Sequence, residues 1–111
     1  MNNTVSLKKN YEFQNVYKRG KSIANRDLVM YVFPNKKNYN RLGICVSKKV
    51  GNSVVRSRVT RLIRESYRLN ENSFKCGYDI IVIARVTITG KKCKEVSKSL
   101  LHLMHKQKII L

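Results

Sequence analysis

Acidic side chains are what this sequence has least of. Among its 111 residues, Asp plus Glu number 6 against 24 Lys plus Arg, a formal net charge of +18. The six acids are Glu12, Asp27, Glu65, Glu71, Asp79 and Glu95, and no two of them form a motif. A hydrolase working through paired carboxylates, or an oxygen-ligand metal site, is therefore not expected. The three cysteines, Cys45, Cys76 and Cys93, are odd in number and contain no CxxC pair. That excludes a disulfide framework and a zinc site of ordinary spacing, and points to reduced thiols in a cytoplasmic protein. His102 and His105 lie three apart without a nearby third ligand, so they read as solvent-facing polar positions and not as a metal site. Long apolar runs are missing too. The longest, residues 80–84, is far too short to span a bilayer, and MNNTVSLKKN has no apolar core of a secretory signal. No helix carries the bulky apolar face of a membrane-surface binder.

What is present is a globular composition with an unusual charge. Hydrophobic residues make up 42% of the chain, enough for one modest core, and a single domain over 1–111 is expected. A charge of +18 goes well beyond what solubility requires and opposes the compact state by self-repulsion. A polyanionic partner relieves that repulsion, and nucleic acid leads the class.

Periodicity divides the chain into elements. NYEFQNVYKR (10–19) carries Phe13, Val16 and Tyr17 at helical spacing, with Asn10 as a possible N-cap and Gly20 as a left-handed C-cap. A short strand at 21–24 is possible. DLVMYVF (27–33) is a strand with Leu28, Met30 and Val32 on one face and Val29, Tyr31 and Phe33 on the other. RLGICVSKK (41–49) is the next, with Leu42, Ile44 and Val46 opposite the small Gly43, Cys45 and Ser47. The polar NKKNYN between them suggests that these two strands form a hairpin. After a turn at Val50-Gly51-Asn52, with Ser53 as N-cap, a helix runs to about Leu69. NENSFKCG connects it to YDIIVIARV (78–86), apolar enough to be covered on both faces. A last helix over 91–108 places Val96, Leu100 and Leu103 on its stripe. The order describes an α+β domain.

RSRVTRLIRESYR (56–68) holds five arginines and one acid. On a helical wheel Val55, Val59, Leu62, Ile63 and Leu69 share one side. Arg61, Arg64 and Arg68 share the opposite arc with Ser57. Arg58 and Glu65 fall at one margin, Thr60 and Tyr67 at the other, and Arg56 near the edge of the apolar face. The apolar side would dock the helix and hold the guanidinium groups in a row, whose planar forks suit phosphates. Lys48 and Lys49 extend the positive surface to the helix start, where free N–H groups also favour anions. Tyr31 shares its strand face with Val29 and Phe33, and if the first helix flanks that face, these aromatics together with Phe13 and Tyr17 could line a groove on which unpaired bases stack. The same aromatics also suit core packing.

The segment VSKKVGNSVVRSRVTRLIRESYR (46–68) resembles the arginine-rich signature of the bacterial ribonuclease P protein subunit. FQNVY, IANRDLVMY, YDIIVIAR and KSLLHLM agree in order, so the resemblance covers nearly the whole chain. It implies a small α/β sandwich of the ribosomal protein S5 second-domain type, in αβββαβα order, with a left-handed βαβ crossover. It also implies a protein that binds the catalytic RNA of ribonuclease P and the 5′ leader of precursor tRNA. The RNA, with Mg2+, would do the cleaving, while the protein itself holds no cofactor and needs no further protein partner. By match, Phe13, Tyr17, Val29 and Tyr31 would line the leader cleft, and Arg56, Ser57, Arg58, Arg61 and Arg64 would occupy the signature helix. The chain departs from the usual pattern at Ser57, commonly Asn, at Thr60, commonly Lys, and at Tyr17, commonly Phe. The alternative is a ribosome-associated structural RNA binder using the same face without a role in tRNA processing.

Overall fold

The protein is described by a computed structural model covering residues 3–111. Five strands form one mixed sheet: β1 (Thr4–Ser6), β2 (Lys21–Ala24), β3 (Leu28–Pro34), β4 (Asn40–Cys45) and β5 (Tyr78–Ala84). Three helices cover it: α1 (Asn10–Arg19), α2 (Ser53–Asn70) and α3 (Cys93–Lys106). Across the sheet the strands run β1-β4-β5-β3-β2. β4 is parallel to β1 and β5, while β3 is antiparallel to β5 and β2. The β4–α2–β5 connection is the βαβ crossover that the resemblance implies.

β5 occupies the centre, and among the five strands it alone carries fully buried side chains on both faces. Ile80 and Val82 point into the larger core beneath α2 and α3, Ile81 into a smaller one beneath α1, and all three are fully buried. That placement overturns the expected hairpin between 27–33 and 41–49. β5 lies between those strands, pairing with β3 from Leu28 to Pro34 and with β4 from Arg41 to Cys45. The hairpin that does form is β2–β3. Its turn is held by Asn25, whose Oδ1 accepts from the backbone N–H groups of Asp27 and Leu28. β1 escapes sequence reading because three residues carry too little pattern.

Several end signals also resolve differently. The α1 N-cap is Lys9, not Asn10, and Glu12 turns back to accept from the backbone N–H groups of Lys8 and Lys9. Gly20 is extended, at φ −76°, not left-handed. It is required by crowding instead, since a Cβ there would sit 2.5 Å from the Val16 carbonyl oxygen. At α2 the cap is Asn52, one residue before Ser53, and its Oδ1 accepts from Val55 N–H at 3.0 Å.

Val96, Leu100 and Leu103 are fully buried, as the α3 stripe predicts. The buried arc of α2 is Val59, Ile63, Ser66 and Tyr67, rotated toward Tyr67 relative to the helical wheel. Tyr67 therefore lies inside, against Phe74 with ring centroids 5.1 Å apart, and Leu69 is left exposed. A tyrosine can be buried only if its hydroxyl finds partners. Thr4 Oγ1 at 2.8 Å and the Asn40 amide at 3.3 Å supply them, from strands the helical wheel does not see.

Candidate nucleic-acid interface

Docking of α2 on the sheet sorts its arginines into distinct environments. Arg61 and Arg64 are exposed and make no side-chain hydrogen bond or ion pair among the described residues. Arg68, expected in the same row, pairs instead with Glu65 one turn back, so its charge is largely neutralised. The Glu65 carboxyl is held below its ordinary range by the Arg68 hydrogen bond. Arg58 is half-buried, and its Nη2 donates to the Lys91 carbonyl at 3.2 Å, tying α2 to the entry of α3. Arg56 is half-buried beside Ile44 and Val46, sharing a pocket with Ser57 and Arg64. Lys48 and Lys49 are exposed in the turn that leads into α2. Gly51 permits that turn, since a Cβ would stand 2.8 Å from the Val55 side chain.

The aromatic groove forms on the other face of the sheet, under α1. Phe13, Tyr17 and Tyr31 all pack on the cluster of Leu7, Val16 and Ile81. Tyr17 meets Phe13 with centroids 6.5 Å apart and Tyr31 edge-on at 5.1 Å. Val29 is half-buried on the same strand face as Tyr31, in register with Ile83 of β5. The rings are thus both partly buried and partly open.

Three contributors to this groove were not singled out from sequence. Gly43 floors it: a Cβ would lie 2.6 Å from the Phe13 ring, so the ring rests on bare backbone. Cys45 brings its Sγ to 3.7 Å from the Tyr17 hydroxyl. Burial first, then Cys45 and Tyr31, push the Tyr17 hydroxyl from an ordinary pKa of 10 up to about 12. Both residues were visible as the small face of the 41–49 strand, but nothing in a single strand says which helix covers it. Arg41 is the third. Its Nε donates to Asp79 Oδ1 at 2.7 Å and Nη2 to Oδ2 at 2.6 Å, while Nη1 pairs with Glu12. This bridge pins the first turn of α1 to β4 and β5. No group of three or more His, Cys, Asp or Glu among the described residues could hold a metal, and none of their helices is long and apolar enough to cross a membrane.

The structure is thus a small basic α+β domain with unpaired arginines on a docked helix and a cluster of partly open aromatic rings on the opposite face of the sheet. The chain belongs to the ribonuclease P protein family, whose model, Ribonuclease P, matches residues 1–108. A ribonuclease P protein component of Lachnoclostridium phytofermentans is 58% identical over 105 residues, covering 95% of this chain and 90% of the relative. One from Clostridium perfringens is 56% identical over 109 residues, covering 92% and 87%. Among solved structures, the ribonuclease P protein of Staphylococcus aureus is 40% identical with a TM-score of 0.87, covering 96% of this chain and 97% of that one. The protein from Thermotoga maritima is 31% identical at a TM-score of 0.84, covering 91% and 96%. Membership makes the chain a protein subunit of a tRNA-processing endoribonuclease and a partner of that enzyme's RNA.

Proposed function

We propose that the chain binds the catalytic RNA of ribonuclease P through the α2 arginine face and receives the 5′ leader of precursor tRNA in the groove under α1. In this reading the RNA, with its own Mg2+, cuts the phosphodiester bond in the cytoplasm, and the protein's side chains bind and orient. Arg61 and Arg64 supply phosphate contacts, with Lys48 and Lys49 extending them past the helix start. Arg56 and Ser57 lie beside them, Arg58 spends part of its hydrogen-bonding capacity on α3, and Arg68 contributes less because Glu65 already pairs with it. Phe13, Tyr17, Val29 and Tyr31 offer partly open apolar surface on which unpaired leader bases stack. The observation that carries the proposal is the pair of exposed, unpaired guanidinium groups of Arg61 and Arg64 on a helix held rigid by Val59, Ile63 and Tyr67. Their mutual repulsion is relieved only by an anion.

Cleavage of a precursor tRNA at low Mg2+, assayed with protein alone, RNA alone and both, tests it. Cleavage only when both are present is expected. Cleavage by protein alone would place the chemistry in the protein. RNA binding without any effect on 5′ processing would leave a purely structural binder.

A further inference from the structure

Between the start of α2 and the end of β4 lies a pocket of about 440 Å³, lined by Ile44, Val46, Ser53, Arg56, Ser57, Thr60 and Arg64. Its volume is in the range of small-ligand sites, which run from about 300 to 1,000 Å³. The two walls differ in chemistry. α2 contributes two guanidinium groups and the hydroxyls of Ser53 and Ser57, whereas β4 and its extension contribute the apolar side chains of Ile44 and Val46. The Thr60 hydroxyl is already engaged, donating to the Arg56 carbonyl at 2.9 Å.

Two further observations single the pocket out. Arg56 Nε is buried and has no hydrogen-bond acceptor, the one such side-chain atom among the described residues. A buried donor without an acceptor is destabilising, and native structures rarely keep one without a reason. Moreover, β1 pairs with β4 only from Asn40 to Leu42. Beyond Leu42 that edge of β4 has no neighbouring strand among the described residues, and Ile44 and Val46, which pack against the core, stay half-buried and line the pocket.

We infer that this pocket takes one unpaired nucleotide of RNA, its phosphate on Arg56 and Arg64 and its base on the Ile44–Val46 floor. The inference rests on the proposed function for its partner and adds what that proposal lacks, a base-sized subsite beside the phosphate row. A free phosphate would answer the guanidinium groups but leave the apolar half of the pocket unused. A base within a duplex is stacked and paired, and could not enter it. Rotation of the Arg56 terminus lets Nε and an Nη donate together, the two-pronged geometry that phosphate oxygens accept.

Titration of the full chain with uridine 5′-monophosphate, uridine and inorganic phosphate, followed by NMR, tests it. Uridine 5′-monophosphate is expected to shift the Ile44 and Val46 methyl resonances and the Arg56 Nε–H together, whereas phosphate shifts only the arginine. Methyl resonances that stay still under uridine 5′-monophosphate would overturn the inference, whether or not the arginine responds. A pocket-filling Val46→Phe variant, its fold checked by thermal unfolding, is expected to bind the catalytic RNA roughly tenfold more weakly. Its salt dependence should be unchanged, because no charge is removed. A folded Val46→Phe protein that binds like wild type would equally overturn it, and should the variant not fold, the wild-type titration still decides. If RNA-dependent precursor cleavage persists while the nucleotide titration fails, the inference alone falls. If the wild-type protein does not support that cleavage, the proposed function falls.

Discussion

The arginine face of α2 and the groove under α1 lie on opposite faces of one sheet and keep their side chains in place by different means. On α2 the position of each guanidinium is set from behind, by Val59, Ile63, Ser66 and Tyr67 buried against the core, while Arg61 and Arg64 reach into solvent. In the groove the rings set one another, Tyr17 against Phe13 and edge-on to Tyr31, with Phe13 resting on Gly43. In the proposed function one surface acts by charge at a distance and the other by contact. Salt screens charge and weakens the gain from counterion release, but it leaves stacking almost untouched. Ionic strength therefore separates the two regions experimentally.

The largest effect is expected from removing both free charges. An Arg61→Ala/Arg64→Ala protein should bind the catalytic RNA more than about tenfold more weakly, and the slope of log affinity against log salt should become shallower by about 1 to 2. Filter binding across a salt series measures it, and an unchanged slope would remove the phosphate role. Next in size, Tyr17→Ala should cost about 1–3 kcal/mol in binding precursor tRNA with a leader, without altering the salt slope. Equal losses for mature tRNA would mean that Tyr17 only packs. Gly43→Ala tests how the groove is built. Its Cβ must displace the Phe13 ring, so stability should drop by about 1–3 kcal/mol in urea unfolding, with leader discrimination lost and the salt slope retained.

A smaller effect should appear at high pH. Tyr17 has its folded pKa raised from 10 to about 12, so the neutral hydroxyl is favoured in the folded state. The stability this brings is present below pH 10 and is lost as pH rises from 10 toward 12. Tyr67 is also raised, by burial first, with its Thr4 and Asn40 hydrogen bonds opposing the shift. The measurement is therefore the difference between wild type and Tyr17→Phe, whose melting temperature should fall less over that interval. The least effect is expected from Arg68→Ala. The Glu65 pair already offsets that charge, so neither the melting temperature nor the RNA salt slope should change measurably. A slope change matching that of Arg64→Ala would show that the pair opens on binding and that α2 carries three free phosphate contacts.

Much of the architecture was legible because it is local. The bounds of α1, the stripe of α3, the two-faced burial of β5 and the amphipathic α2 all follow from periods of 3.6 and 2. Strand order was not legible. A polar loop between 27–33 and 41–49 fits a hairpin equally well, and only the need to cover both faces of β5 places it between them. Tyr67 and Leu69 exchanged roles for a similar reason. The wheel ranks faces by hydrophobicity, but Thr4 and Asn40 make an interior position suitable for a hydroxyl. The groove residues Phe13, Tyr17 and Tyr31 could be grouped in advance, whereas Gly43, Cys45 and Arg41 joined them only when α1 was laid across β4.

The sequence by itself determined the net charge of +18, the helical rod that carries five arginines, and the alternation that puts Val29 and Tyr31 on one strand face. Composition and period are properties of the chain and survive any packing. Only the tertiary structure decided which charges remain free. Arg61 and Arg64 face solvent unpaired, Arg68 meets Glu65, Arg58 meets the Lys91 carbonyl, and Arg56 is left with a buried Nε and no acceptor. Neutralisation depends on the distance to a partner and on the water excluded between them, and for Arg58 and Arg56 that geometry is set where α2 meets α3 and the open edge of β4.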